Sequence, residues 1–200
     1  MPKIKYGLRN VYAAKLTETV DGTTGAVTYT YGTPRAWPGA VSMALDAQGS
    51  SEPFYADDEI YYVTTSNAGY SGAFECAYMP DWVRTELLGQ TRNGDKVVIE
   101  TSDDLPVPFA LLYEMQTSDG PARFVEYDCI LTRPSRGSAT RTNSTTPRTD
   151  QTTITVMPRA DRAINAYVLK SEAPAIFEAW YSSVYETPTT AEADPPLAGG

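Results

Sequence analysis

The chain has 200 residues, a formal net charge of −9, 42% hydrophobic residues and no histidine. This length suits one domain, large enough to bury a core without a disulfide or a structural metal. The absence of histidine removes the commonest general base and transition-metal ligand, and the acidity argues against an ordinary nucleic-acid-binding protein.

Neither a targeting segment nor a membrane anchor is expected from the hydropathy of the chain. Residues 1–5 contain no hydrophobic segment, so we expect no signal peptide. The longest apolar run is far shorter than the ~20 residues that a membrane-spanning helix requires. Cys76 and Cys129 each lie in a strand-like run, and we expect both to be buried free thiols.

Period-2 alternation of apolar and polar residues recurs along most of the chain and predicts many short strands. Fourteen tyrosines add to this preference, because aromatic side chains fit the pleated surface of a sheet. The predicted strands are residues 11–17, 27–31, 40–45, 60–65, 71–78, 97–101, 109–116, 123–131, 153–157 and 166–169. Residues 109–116 and 123–131 form the clearest hairpin, around Ser118-Asp119-Gly120. The pattern predicts a mainly β fold of two packed antiparallel sheets, sandwich-like or barrel-like.

An acidic turn, Tyr55-Ala56-Asp57-Asp58, precedes the strand at residues 60–65. These residues match the Tyr-x-Asp-Asp pattern of reverse transcriptases, but the chain is short and acidic and has no basic channel for a template. A second acidic pair, Asp103-Asp104, suggests a glycosidase as another function to consider. Such an enzyme needs two carboxylates about 5–10 Å apart across a sugar cleft. Sequence does not place the acids in that way. Glycine-rich phosphate loops and Gly-x-Ser-x-Gly are also absent, so we predict no enzyme, cofactor or metal site.

Two segments have the pattern of short helices that flank the sheets. The first covers residues 80–88, with Asp81 as the predicted cap and Gly89 as the left-handed stop. The second covers residues 171–185, with Ser171 as the predicted cap and Pro174 in the first turn. The apolar side chains of the second helix recur on one face, which predicts core packing. They are Phe177, Trp180 and Val184.

Residues 132–152 differ in composition from the segments around them. They are rich in Thr, Ser, Arg and Pro and contain four arginines against one acid, Asp150. The arginines are Arg133, Arg136, Arg141 and Arg148. Because the segment has little apolar surface and is basic in an acidic chain, we predict a long flexible arm within a domain spanning residues 1–185. Residues 186–200 are rich in Pro and Ala and predict a disordered acidic tail.

An ordered series of short matches over residues 6–185 resembles the major tail proteins of long-tailed bacteriophages of the siphovirus type. The matches begin at Tyr6-Gly7-Leu8-Arg9-Asn10 and continue through residues 31–34, 40–45 and the acidic turn. Residues 81–89 resemble the short flanking helix of the family in position and pattern. Phe109-Ala110-Leu111-Leu112-Tyr113 is similar to the strand that opens the last hairpin.

The resemblance implies the tail-tube fold and a structural role without catalytic residues. Such proteins assemble into hexameric rings that stack into the tail tube, through which viral DNA passes without specific binding. Expected partners are other copies and tail proteins such as the tape measure, initiator and terminator. The expected location is the virion tail, assembled in the bacterial host cytoplasm. We expect the basic arm to act in assembly, and Asp57, Asp58 and Asp103 to lie on an assembly or lumen surface.

A second function remains open at this point. Aromatic residues in a β-sandwich would also suit a binding module, such as a carbohydrate-binding or virion-attached domain. The tube subunit requires concentration-dependent self-association, whereas the binding module requires stable monomers with a preformed aromatic platform.

Overall fold

The computed structural model describes residues 4–138, 140 and 148–186, and of the predicted tail only Glu186 lies within these ranges. The described residues form thirteen strands and two short helices. The strands are β1 (Lys5–Val20), β2 (Val27–Tyr31), β3 (Arg35–Ala36), β4 (Ala40–Gln48), β5 (Ser51–Ala56), β6 (Glu59–Thr65), β7 (Gly69–Cys76), β8 (Thr91–Arg92), β9 (Val98–Ile99), β10 (Phe109–Thr117), β11 (Gly120–Leu131), β12 (Asp150–Val156) and β13 (Asn165–Leu169). The helices are α1 (Asp81–Glu86) and α2 (Pro174–Ala179).

A nine-stranded antiparallel sheet forms the body, in the order β2-β1-β10-β11-β12-β7-β4, with β3 paired to β1 and β13 paired to β11. The sheet divides at β11, because residues 122–126 pair with β13 and residues 129–131 pair with β12 on the same edge. The mainly β prediction is confirmed. The nine strands of the large sheet form one continuous hydrogen-bonded order that forks at β11, and β4 curls back towards β1, whereas β5–β6 and β8–β9 are separate two-stranded sheets.

The inner face of this curled sheet holds the main core. Val11 from β1 and Phe109 from β10 meet Phe74 from β7 and Ile154 from β12 there, and the side chains of α1 cover one end. Val83 of α1 is fully buried. Burial of this apolar surface is the dominant contribution to the stability of such a domain.

The outer face of β10 and β11 carries a second core that α2 covers. Phe177, Trp180 and Val184 pack there against Leu112 and Val125, as the periodicity of residues 171–185 predicts. The helix itself is shorter than predicted and begins after Ala173, so Ser171 does not cap it. Pro174 occupies the first turn, where a backbone N–H would have no hydrogen-bond partner within the helix.

The first helix and the last hairpin follow the sequence prediction closely. Asp81 is the first residue of α1 rather than its cap, and Gly89 adopts a positive φ of 74° at the end of the helix. Thr117 pairs with Gly120 across the two-residue turn of the β10–β11 hairpin. Cys76 and Cys129 are buried free thiols within the described chain, as expected. No helix among the described residues is long and apolar enough to cross a membrane.

Candidate assembly surface

The β4–β7 pair at the edge of the large sheet continues beyond the sheet as a two-stranded ribbon. These strands pair from Ala40 opposite Cys76 to Gln48 opposite Gly69, and β5 and β6 then continue the ribbon. At the junction, Ser66 N–H donates to the Ser50 carbonyl oxygen at 2.9 Å. A Cβ atom on Gly49, whose φ is 152°, would overlap the carbonyl oxygen of Ser66. The ribbon therefore needs glycine at this position.

Asp57 and Asp58 form the turn at the tip of the β5–β6 hairpin. Both have positive φ values, 52° and 63°, and they connect Ala56 to its partner Glu59. Two consecutive residues with positive φ match the right-handed twist of a two-residue hairpin, and Asp tolerates this region better than most residues. The predicted acidic turn is therefore present, and it places the carboxyl groups of three consecutive acidic residues at the end of a projecting hairpin.

The β5–β6 hairpin exposes most of its apolar side chains to solvent. No residue of either strand is buried, and Tyr61 is 77% exposed. The pairing shifts between Phe54, opposite Tyr62, and Tyr55, opposite Ile60, so Tyr61 is the extra residue of a bulge. The exposed apolar side chains on the hairpin are Phe54, Tyr55, Ile60, Tyr61, Tyr62 and Val63. Exposed apolar side chains at so many positions of two paired strands make this hairpin a candidate interaction surface.

The sequence predicts only half of this hairpin. The sequence pattern predicts a strand at residues 60–65 but not at residues 51–56, because Pro53 and the surrounding acids weaken the strand pattern there. Proline is tolerated at the edge of a sheet, and β5 has only β6 as a neighbour.

Asp103 lies in a different part of the fold, in the turn after β9. The neighbouring Asp104 organises that turn, because its carboxylate accepts hydrogen bonds from Thr101 N–H at 2.8 Å and from Thr101 Oγ1 at 2.6 Å. These hydrogen bonds hold the pKa of Asp104 below its ordinary value. Asp103 makes a weaker contact, a 3.4 Å hydrogen bond from Ser102 Oγ. The turn therefore depends mainly on Asp104.

The two ends of the predicted arm are attached to β12. Thr132 N–H donates to the Thr153 carbonyl oxygen and Ser135 N–H donates to that of Gln151, both at 2.9 Å. β12 itself begins at Asp150, so its first three residues come from the segment predicted as an arm. The segment therefore leaves and rejoins the body as neighbouring strands.

Two of the four arm arginines contact the same acid. Arg133 lies 3.2 Å and Arg136 2.8 Å from the carboxylate of Glu100. Both arginine side chains are about three-quarters exposed, so these ion pairs contribute little to folding stability. Arg148 is exposed, and Arg141 lies outside the described residues.

An ionic cluster around the buried Glu114, which the sequence did not predict, joins β1, β10 and β11. Glu114 is 2% exposed and accepts hydrogen bonds from Arg9 Nε at 2.7 Å and from Arg123 Nε at 2.9 Å. Burial raises the pKa of Glu114, but the hydrogen bonds from the two arginines outweigh this effect and hold the pKa below its ordinary value. The only sequence signal is that Glu114 and Arg123 are cross-strand partners in the predicted hairpin.

A second missed cluster surrounds Arg159. Its guanidinium group donates to Asp161 and to Glu186, and its Nη1 also lies 3.1 Å from Tyr31 Oη. The same group stacks over the rings of Tyr29 and Tyr127. This cluster connects β2 and β11 to the end of the described chain, and apart from Asp161 the partners of Arg159 are too far away in sequence to be found by pattern.

No known family model matches this chain. A search of curated proteins likewise finds no significant match.

Proposed function

We propose that this chain is a self-assembling structural protein, the major tail protein of a long-tailed bacteriophage. Copies form stacked hexameric rings that make the tail tube, and viral DNA passes through the lumen without specific binding. The sequence resemblance suggests this role, and the exposed β5–β6 hairpin is the structural observation that supports it most strongly.

The hairpin has the properties of a surface that binds another protein chain: free strand edges and exposed apolar side chains. Exposed strand edges and apolar faces of this length normally cause aggregation, and most proteins prevent it by placing charged residues there or by covering the edge with another element. Here the charge is confined mostly to Glu52 and the tip, while the middle is aromatic on a ribbon of roughly 20 Å. An exposed aromatic surface that carries a risk of aggregation is expected when the surface binds a partner.

A second copy of the chain is the partner that the described surfaces fit. The hairpin tip is acidic, whereas Arg133 and Arg136 are exposed on the body and share one acid, Glu100, which leaves a net positive charge there to complement the tip. When donor and acceptor surfaces differ, association proceeds head to tail and yields a closed ring or an open filament. Stacked rings contain both kinds of contact: closed contacts within each ring and open-ended contacts between successive rings.

The proposal assigns the chain a place among other tail proteins. Assembly occurs in the bacterial host cytoplasm with the tape measure, initiator and terminator proteins, and the product is part of the virion tail. The net charge of −9 suits a lumen that DNA must cross without sticking, because like charges repel. The acids at Asp57, Asp58 and Asp103 are candidates for such a surface.

Negative-stain electron microscopy of concentrated protein tests this function. Wild-type protein is expected to give rings or hollow tubes at high concentration. The matched variant replaces residues 51–65 by Asn-Gly, so that the hydrogen-bonded pair Ser50 and Ser66 flanks a two-residue turn. This variant is expected to remain a folded monomer.

Two results would contradict the proposal. Wild-type monomers that persist at high concentration would favour the binding module instead, with the exposed aromatic side chains as its platform. Normal tubes from the variant would show that assembly does not need the β5–β6 hairpin.

A further inference from the structure

A groove of about 570 Å³ lies between β3, the start of α1 and β8. Proline and aromatic side chains line it: Pro38, Pro80, Tyr78 and Trp82. Tyr78 is 63% exposed, and its Oη makes only a long hydrogen bond, 3.5 Å, to Asp81 Oδ1. The groove therefore presents the rings of aromatic and proline residues to solvent.

The ring of Trp82 is held by two neighbours. Trp37, in the main core, contacts it edge-on with a centroid separation of 6.2 Å, and the guanidinium carbon of Arg35 lies 4.9 Å from its centroid. Arg35 is itself paired with Glu86 at 2.7 Å. A side chain that is already fixed in this way loses little entropy when a ligand packs on it. The aromatic surface of the groove is therefore preformed.

Arg92 adds a cationic group to the groove and is only weakly paired. Its Nη1 lies 4.0 Å from Asp81 Oδ2, and about half of each side chain is exposed. A guanidinium group has several N–H donors in a fixed fork that matches a carboxylate. Arg92 therefore keeps donors for an acidic group of a ligand.

The chain itself contains a segment that suits such a groove. Residues 194–197, here called the proline segment, read Asp194-Pro195-Pro196-Leu197 and lie outside the described residues. Consecutive prolines favour the polyproline II conformation, and proline-rich segments bind grooves lined by aromatic rings at little entropic cost. Asp194, directly before the prolines, supplies a carboxylate that complements Arg92.

Glu186, the last described residue, is anchored close enough for the proline segment to reach the groove. Arg159 Nη1 donates to Glu186 Oε1 at 2.9 Å and to Tyr31 Oη at 3.1 Å. Residues 31–35 lead from Tyr31 to Arg35 of the groove and span at most roughly 14 Å. Residues 187–194 cover up to roughly 28 Å when extended. This length allows for the side chains at the anchor and for passage around the sheet edge at β2 and β3.

We propose that this groove binds the proline segment of its own chain. The two proline rings pack against Tyr78 and Trp82, and the carboxylate of Asp194 accepts hydrogen bonds from Arg92. A short tether gives an effective concentration in the mM range, so even a site with a Kd of about 1 mM is about half occupied. The groove is a different surface from the β5–β6 hairpin, and the proposal does not depend on self-assembly.

Paramagnetic relaxation in NMR spectra of the full chain at low concentration tests this contact. Ala193→Cys provides a thiol for a nitroxide label beside the proline segment, and Cys76 and Cys129 are buried. We expect the label to broaden the signals of Tyr78 and Trp82. Replacing both prolines, Pro195→Ala with Pro196→Ala, should remove this broadening.

A mixed sample distinguishes the chain's own segment from that of a second copy. One component carries the nitroxide without ¹⁵N, and the other carries ¹⁵N without the nitroxide, so broadening in this sample reports only contacts between copies. We expect the signals of Tyr78 and Trp82 to stay sharp in the mixture.

A charge exchange tests the pairing of Arg92 with Asp194. Arg92→Glu should weaken the contact about tenfold, because it replaces an attraction by a repulsion. Adding Asp194→Lys should restore the contact. Arg136→Glu makes the same change in net charge at another exposed arginine, so it is the control and should leave the broadening unchanged.

Three outcomes would overturn the proposal. Signals of Tyr78 and Trp82 that stay sharp in the labelled chain would show that the proline segment does not occupy the groove. Equal broadening in the mixture would assign the groove to the segment of a second copy. Broadening that survives Arg92→Glu or the two proline substitutions would show that neither the acid nor the prolines are recognised there.

Discussion

Phe54 lies directly opposite Tyr62 across the β5–β6 ladder, and each side chain is more than 60% exposed. Cross-strand aromatic pairs normally add stability when their shared face is covered. In this chain no residue of β5 or β6 is buried. The proposed self-assembly would cover this pair.

The first prediction concerns Tyr62→Lys. The substitution puts a positive charge in the middle of the exposed apolar ribbon, so association through this surface should weaken by at least about tenfold, while the monomer keeps its stability. Sedimentation velocity over a concentration series measures the association. Leu105→Lys, at a residue that is 75% exposed elsewhere, is the control and should assemble normally. Equal behaviour of the two variants would be inconsistent with a role for the hairpin.

The second prediction concerns the arm. Replacing residues 136–148 by Asn-Gly should leave a folded monomer that does not form tubes, because Ser135 and Gln151 are already hydrogen bonded and a short loop can join them. Circular dichroism checks the fold and electron microscopy checks assembly. Tubes of normal appearance from this variant would remove the arm from the assembly mechanism.

The third prediction is a pH dependence of stability that originates at Glu126. Its pKa rises on folding from an ordinary value of 4.5 to about 7, so the folded state holds this proton more tightly than the unfolded state. The stabilisation is full below pH 4.5 and is lost as the pH rises through 7, by at most about 3 kcal/mol. Urea denaturation should therefore show Glu126→Gln gaining stability over wild type between pH 4.5 and 7. A difference that does not change with pH would refute this assignment.

The fourth prediction compares two arginines. Arg159→Ala should lower the free energy of unfolding by about 2 kcal/mol, because Arg159 is 8% exposed and loses stacking on two rings as well as its hydrogen bonds. Arg35→Ala should cost less than about 1 kcal/mol, since Arg35 and its partner Glu86 are both about half exposed. Equal losses in urea denaturation would contradict the role of burial.

The fifth prediction tests the close packing of β7. A Cβ atom on Gly72 would overlap the carbonyl oxygen of Ala44 on β4, so Gly72→Ala should destabilise the fold by about 2 kcal/mol. Gly94→Ala is the matched control, because a Cβ there meets nothing within 4 Å. Thermal unfolding of both variants measures the difference, and a stable Gly72→Ala protein would show that β4 and β7 separate easily.

Local patterns predict much of the fold in this chain. Alternation in residues 109–131 gives the β10–β11 hairpin almost to its ends, and the apolar face at Phe177, Trp180 and Val184 gives the packing of α2. These features depend on neighbours in sequence, which is the range over which periodicity carries information. Sequence also places Asp57 and Asp58 correctly in a turn.

The remaining features depend on contacts between distant segments. The fork at β11 arises because two strands share one edge, and no local pattern in residues 120–131 indicates it. Alternation along β11 puts Glu126 on the same face as Phe124, but it does not indicate that Met43 and Tyr70 of β4 and β7 face this position and bury the carboxyl group. Arg159 meets Tyr31 across 128 positions of the chain. Tertiary placement of this kind overrides local preference.

Hydrogen–deuterium exchange of residues 51–65, followed by mass spectrometry in dilute and concentrated protein, tests the self-assembly account most directly. The account predicts slow exchange in these residues only when the protein is concentrated, with unchanged exchange in the β10–β11 hairpin as the internal reference. Identical exchange of residues 51–65 at both concentrations would contradict the claim that this hairpin binds another copy of the chain.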